Sequence, residues 1–295
     1  MRALFVFTPA ESKRFIAKAV ARLPEVALAK TEGELAIGHG SSNVYVAEEI
    51  FGECANRDQY LSGVVVNRIL CVTQAEDKPQ MLVWQKGVRT APGATMDETL
   101  RGFGAASVFI KGANAVDPEG NVGVFVANPA GGTIGWSYGI LSARGCHLIV
   151  PVGLEKLIPS VRAAARSCGQ DTFYYCHGIR IGMIPIMNAT VVTEIDAFRI
   201  LFDLEAVHVG GGGMNDSQGA VVLVAEGDRE KLDRAIALIE SIKGEPTLRP
   251  RKSACTNCVP TVMILNDGGV KREVKHCMYQ GLTDEELPHF MKSEA

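Results

Sequence analysis

No stretch of the chain approaches the run of about 18 apolar residues that a membrane-crossing helix requires, so no membrane partner is expected. Runs of basic residues are missing as well, and 30 Lys and Arg against 33 Asp and Glu leave a net charge of −3. Nucleic-acid binding ordinarily draws on a strongly positive field; no nucleic-acid partner is expected here. The apolar stretch at 3–7 meets Thr8-Pro9-Ala10-Glu11 at once, too short for the apolar region of a secretory leader. Internal repeats and low-complexity tracts are absent, and aromatics make up only 6% of the chain. These absences together point to a cytoplasmic protein, in which the eight cysteines serve as thiols or metal ligands and not as disulfides.

What is present is an ordinary globular composition, 47% hydrophobic and 21% charged, with a length that suits about two domains. Glycine is abundant at 31 residues, gathered in doublets and runs. Such clustering places the chemistry on loops. Short apolar runs alternate with amphipathic stretches, which predicts an α/β fold with an open, mostly parallel sheet flanked by helices. Strands are expected at 3–7, 35–39, 68–72, 81–85, 107–111, 122–127 and 147–150. Helices are expected from Thr8, where Thr, Pro and Glu form a start signal, and at 44–51, 96–103, 134–144 and 157–166.

The rhythm changes near 171. A strand at 189–193, a helix at 195–202, strands at 206–209 and 220–225, and a helix at 228–242 give the order βαββα. Completed by a strand at 261–265, this fits a smaller ferredoxin-like α+β domain, and the alternative is extra elements docked on the first sheet. The expected division is an α/β domain at 1–170, a ferredoxin-like module at 171–246 and a Cys-containing tail at 247–295. The run Gly210 to Gly213 reads as a hairpin loop, or as a ligand loop with bare backbone.

Three segments carry candidate binding chemistry. Gly38-His39-Gly40-Ser41-Ser42-Asn43 runs from a strand into a helix; its backbone N–H groups can face an anion, or its Ser and Asn can simply cap the helix. Lys111-Gly112-Ala113-Asn114 ends a buried strand, the place where open α/β sheets gather ligands, and Lys111 can pair with a phosphate or carboxylate. Asp117, in the turn that follows, either serves the site or holds the turn. Gly131-Gly132-Thr133 opens a further helix after a strand.

Gly112-Ala113-Asn114-Ala115-Val116-Asp117-Pro118-Glu119-Gly120-Asn121-Val122, followed by Gly131-Gly132-Thr133 and His147-Leu148-Ile149-Val150-Pro151-Val152, resembles the superfamily of ribose-phosphate isomerases, CoA transferases and glucosamine-phosphate deaminases. The likeness is nearest to the branch of methylthioribose-phosphate isomerase and the related initiation-factor exchange subunits, and it covers roughly 35–157. It implies a phosphorylated small-molecule ligand, with Gly38, Gly40, Ser41, Ser42 and Asn43 as the phosphate loop and Gly131, Gly132 and Thr133 closing the far side. It also implies Lys111, Asn114 and Asp117 at the reacting end. Those isomerases carry an aspartate where this chain has Asn114, and an amide is no general base. Isomerisation would then need Asp117, Glu119 or a cysteine as base. A metabolite sensor without catalysis is the alternative, and a homo-oligomer is expected.

The tail supplies a different signal. Cys255 and Cys258 have the spacing at which two thiolates chelate one tetrahedral ion, and His276 or Cys277 can complete a structural zinc site, with His289 or Cys176 as substitutes. A reversible dithiol or inert thiols are the other readings, and a metal- or redox-responsive assembly protein is the corresponding function.

Overall fold

The structure, a computed structural model, describes residues 1–73, 77–90, 96–258, 262–264, 271–273 and 277–292, with backbone alone at 97, 262–264 and 271–273. The chain begins with β1 (Arg2–Phe7), α1 (Pro9–Val20), α2 (Pro24–Thr31), β2 (Glu34–Ile37) and α3 (Ser41–Phe51). It continues with β3 (Gly63–Val66), β4 (Ile69–Val72), β5 (Leu82–Gln85), β6 (Val88–Arg89), α4 (Met96–Arg101), β7 (Val108–Ile110), β8 (Ala115–Val116) and β9 (Val122–Val126). Then come α5 (Gly132–Arg144), β10 (His147–Pro151), α6 (Val161–Arg166), β11 (Gly182–Ile186), β12 (Thr190–Val192), α7 (Glu194–Phe202) and β13 (Glu205–Gly212). Last are β14 (Ala220–Glu226), α8 (Arg229–Ser241), β15 (Val262–Ile264) and β16 (Lys271–Glu273).

The fold is mixed α/β, built on a six-stranded mixed sheet of order β12-β10-β7-β2-β5-β6 and several smaller sheets. Its first four strands run parallel, and β5 and β6 form an antiparallel edge. The parallel strands are near-continuous apolar runs because both faces are covered. Side chains alternate across the pleat: Leu35, Ile37, Val108, Ile110 and Ile149 join one core with Phe15, Ile16 and Val44 of α1 and α3. Ala36, Phe109, Leu148 and Val150 join a second core with Leu100 and Ile134 of α4 and α5. Residues Leu35, Val108 and His147 stand side by side in register, so β2, β7 and β10 all end at the same edge of the sheet.

Helix α1 starts as its sequence predicts. Glu11 N–H donates to Thr8 Oγ1 and Thr8 N–H to Glu11 Oε2, a reciprocal cap. The Glu11 carboxylate also accepts from Gly244 N–H and Lys243 Nζ, which ties the chain after α8 to α1.

Several pairings differ from the sequence expectation. The strand expected at 3–7 was placed with the first domain; it is β1, and it lies antiparallel to β14 in a sheet of order β1-β14-β13. Phe5 and Phe7 turn inward there, and Phe198 of α7 packs against Phe5 and Phe15 with ring centroids 5.3 and 4.9 Å apart. The strand expected at 189–193 pairs with β10 in the large sheet, and Val262–Ile264 pairs with β16. Gly210 to Gly212 continue β13 opposite Val222, Val221 and Ala220 after a bulge at His208/Gly210; glycine lacks the side-chain signal that marks a strand, while its backbone still hydrogen-bonds. The helix expected at 157–166 starts only at Val161, as α6, because Pro159 disfavours the helical conformation before it and Ser160 caps the helix; a separate 3-10 turn precedes it at Leu154–Lys156. Among the described residues, no helix is long and apolar enough to cross a membrane.

Phe198 is fully buried in this aromatic cluster. Phe198→Ala is expected to lower unfolding stability by about 3–5 kcal/mol, read as a drop in denaturant midpoint with an unchanged slope.

Candidate functional site

A cavity of about 570 Å³ opens where β2, β7 and β10 end. All three glycine-bearing segments reach it. Gly40, Ser41 and Ser42 enter from the β2–α3 turn, Lys111 and Asn114 from the end of β7, and Gly131, Gly132 and Thr133 from the start of α5. The β3–β4 hairpin closes another wall with Val64, Val65 and Val72.

Two helix N-termini therefore meet the same space. Gly40 precedes α3 and Gly131 precedes α5, and neither supplies a side-chain cap. The first-turn amides have no partner within their own helices and carry the positive end of the helix dipole. Gly131 and Gly132 sit at φ 86° and 58°, a left-handed region that glycine enters without strain.

Gly38 and Asn43 stand beneath this arrangement as braces. Gly38 N–H donates to Ile110 O at 2.9 Å, and the fully buried Asn43 donates from Nδ2 to Gly38 O at 2.6 Å and to Ile110 O at 3.4 Å. Tyr60 adds a second brace: its hydroxyl bonds to Ile37 O and accepts from Leu82 N–H, while its carbonyl accepts from Gly40 N–H at 3.0 Å. Ser42 Oγ, buried at the cavity wall, has no hydrogen-bond partner among the described residues.

The charge is one-sided. Lys78, Lys111 and Lys156 line the cavity, and among the described residues no Asp or Glu does. Lys156 Nζ donates to Ala113 O at 3.0 Å, Lys78 Nζ to Ser62 Oγ at 3.0 Å and Lys111 Nζ to Gly112 O at 3.2 Å. Burial, with the charges of Lys156 and Lys78 added, pulls the Lys111 amine down to about 8. His39 is pulled down to about 4 by burial and then by Lys78 and Lys111. It is neutral at pH 7. Its Nε2 lies 2.7 Å from Pro79 O, which can only accept, so the proton sits on Nε2 and Nδ1 is an acceptor.

Asp117 does not join this group. Its carboxylate accepts from Glu119 N–H at 3.1 Å, Asn121 N–H at 3.0 Å, Asn121 Nδ2 at 3.2 Å and Val161 N–H at 2.9 Å. These bonds outweigh burial and hold its pKa below the usual carboxylate value. It fastens the 117–121 turn to α6. Asn114 faces the cavity with its Oδ1 accepting from Phe125 N–H at 2.9 Å.

Sequence reasoning missed Lys78, Lys156 and His39. Lys156 had a usable signal, since it follows the end of β10 as Lys111 follows β7, the strand end where ligands gather. A second cavity of about 300 Å³ adjoins the first and shares Ser41, Val64, Asn114 and Lys156 with it.

Of the tail residues, His276 lies outside the described residues. Cys255 is buried with Ile69, Tyr279 and Met291, and Cys71 and Cys277 pack against that cluster. Burial pushes the thiols of Cys71, Cys258 and Cys277 up, and neighbouring thiols within this group add to the effect. Among the described residues, no group of three or more His, Cys, Asp or Glu is placed to hold a metal ion.

Compared with family models, with curated proteins and with solved structures, the chain matches none.

Behind Lys156 lies a buried pair of carboxyls. Lys13 bonds to Glu155 at 3.0 Å and, with Lys156, holds Glu155 below its usual pKa against the effect of burial. Glu194, which accepts from Leu154 N–H at 2.9 Å, is pushed up to about 7 by burial and by Glu155. A carboxyl whose folded pKa is raised stabilises the fold below its unfolded value, and that contribution is lost as pH rises through the folded one. Unfolding stability is thus expected to carry a falling component between pH 4.5 and about 7, which Glu194→Gln removes. Chemical denaturation across that range, on both proteins, checks it.

Proposed function

We propose that the cavity binds a phosphorylated small metabolite. The observation behind this reading is the convergence of three lysines and two uncapped helix N-termini on one space that no carboxylate lines among the described residues. A volume of about 570 Å³ also suits a small metabolite, since such sites span roughly 300–1,000 Å³. The reading agrees with the resemblance to sugar-phosphate isomerases and CoA transferases. In support of that likeness, β2, β7, β10 and β12 supply the parallel strands of an open sheet. Of the expected ferredoxin-like module at 171–246, α7, β13, β14 and α8 follow one another in the expected order, while β12 lies in the large sheet and β1 takes the place beside β14.

Sugar-phosphate isomerisation is the first chemistry to assay. A sensor that binds without turnover is the second, favoured by Asn114 in the aspartate position and by the four hydrogen bonds that occupy Asp117. Homo-oligomerisation is supported by the outer face of the β1-β14-β13 sheet, where Leu4, Val6, Val207 and Val209 are exposed as a neighbouring apolar set.

Ribose 5-phosphate or inorganic phosphate is expected to raise the melting temperature, because a ligand that binds only the folded state stabilises it. Lys156→Ala and Lys78→Ala should each weaken that binding about tenfold, equivalent to ~1.4 kcal/mol. An unaltered melting temperature across a phosphate titration rejects the reading; turnover of the sugar phosphate separates enzyme from sensor.

The spacing of Cys255 and Cys258 supports a separate proposal, a structural zinc held by these two thiolates with His276, which lies outside the described residues, as a further ligand. Elemental analysis should then find one zinc per chain in the purified protein and none in the Cys258→Ser variant. Zinc-free protein of undiminished stability counts against it.

A further inference from the structure

The three lysines of the cavity are not equivalent. Lys156 is anchored to Ala113 O and Lys78 to Ser62 Oγ, whereas among the described residues the amine of Lys111 hydrogen-bonds only to the carbonyl of its own neighbour, Gly112. The stem of Lys111 runs close beneath the β2–α3 turn, where a Cβ placed on Gly38 would lie 3.1 Å from its Cδ. The missing Cβ of Gly38 leaves room for the side chain there. Among the described residues no ion pair neutralises Lys111, and two further cations stand near it.

An ammonium in that position is unfavourable, and the amine titrates near pH 8. A substantial fraction is then neutral and nucleophilic at physiological pH, the condition that desolvation and neighbouring cations create in imine-forming lysines. Phosphate or carboxylate recognition is meanwhile provided by other groups: Lys78, Lys156, the first amides of α3 and α5, and the unpartnered Ser42 hydroxyl.

We propose that Lys111 forms an imine with an aldehyde or ketone that carries a phosphate or carboxylate. This rests on the anion-binding reading above and deepens it by naming the reacting group. The lone pair of Nζ attacks the carbonyl carbon, and the carbon–oxygen π bond breaks to give a carbinolamine. Both amine protons leave with the carbonyl oxygen as one water molecule, and a carbon–nitrogen double bond replaces the carbon–oxygen one. Nothing is oxidised or reduced.

Pyridoxal 5′-phosphate, an aldehyde bearing a phosphate, is a suitable probe, with pyridoxal as the form lacking the anion. The full chain is incubated with each, reduced with borohydride and mapped by peptide mass spectrometry, with a phosphate thermal-shift titration alongside. The expected result is labelling of Lys111 at least tenfold above any other lysine, with competition by inorganic phosphate and weaker labelling by pyridoxal. Lys111→Arg should abolish the label. Labelling spread evenly over the lysines, or confined to Lys78 or Lys156, overturns the imine but leaves anion binding intact if phosphate still stabilises the protein. Absence of both labelling and phosphate stabilisation overturns the two together. The mapping on the unmodified chain decides the matter even if a Lys111 variant fails to fold.

Discussion

The site depends on one fastening, the amide of Asn43 bridging the ends of two parallel strands. By donating to Gly38 O and Ile110 O, a side chain on α3 grips the last residues of β2 and β7 together. That grip sets where α3 begins, and so where its first amides point. It also sets the take-off of Lys111, the residue after Ile110. Tyr60 repeats the constraint from the other side through Ile37 O, Leu82 N–H and Gly40 N–H. A buried donor is costly to leave unmet, and the Asn43 Nδ2 and Tyr60 hydroxyl bonds form only if strands, turn and helix take this arrangement together.

Grouping three lysines costs stability, because burial disfavours the charge of each and Lys111 is also repelled by Lys156 and Lys78. The fold offsets that elsewhere with concentrated ion pairing: Arg14 contacts Glu48, Glu49 and Glu245 on three sides, and Arg14 and Arg57 flank the ring of Tyr45. This cluster binds α1, α3 and the segment after α8 behind the cavity.

Much of the cavity was legible because it is made of local signals at strand ends. Gly40 to Ser42, Lys111, Asn114 and Gly131 to Thr133 each follow an apolar run, and parallel strands bring such ends to one edge. Lys78 and His39 gave no comparable pattern; their place depends on how the 77–80 segment folds over the β2–α3 turn. Asp117 shows the converse. Its side chain sits in an Asp-Pro-Glu-Gly turn, and turn chemistry claimed the carboxylate that a catalytic reading wanted. Pairings between distant segments left no local trace at all: nothing in 2–7 indicates that its neighbour is 220–226, and the glycines that extend β13 have no side chains to show a period.

That last pairing has a consequence for how the protein comes into being. Arg2 meets Glu226 across 224 positions of sequence, so Phe5 and Phe7 have no strand beside them until about three quarters of the 295 residues exist. At synthesis rates of about 5–20 residues per second, the nascent protein carries that apolar strand unmatched for on the order of tens of seconds. Its early life is spent with an unpaired strand edge, long before the cavity it will build can hold a ligand.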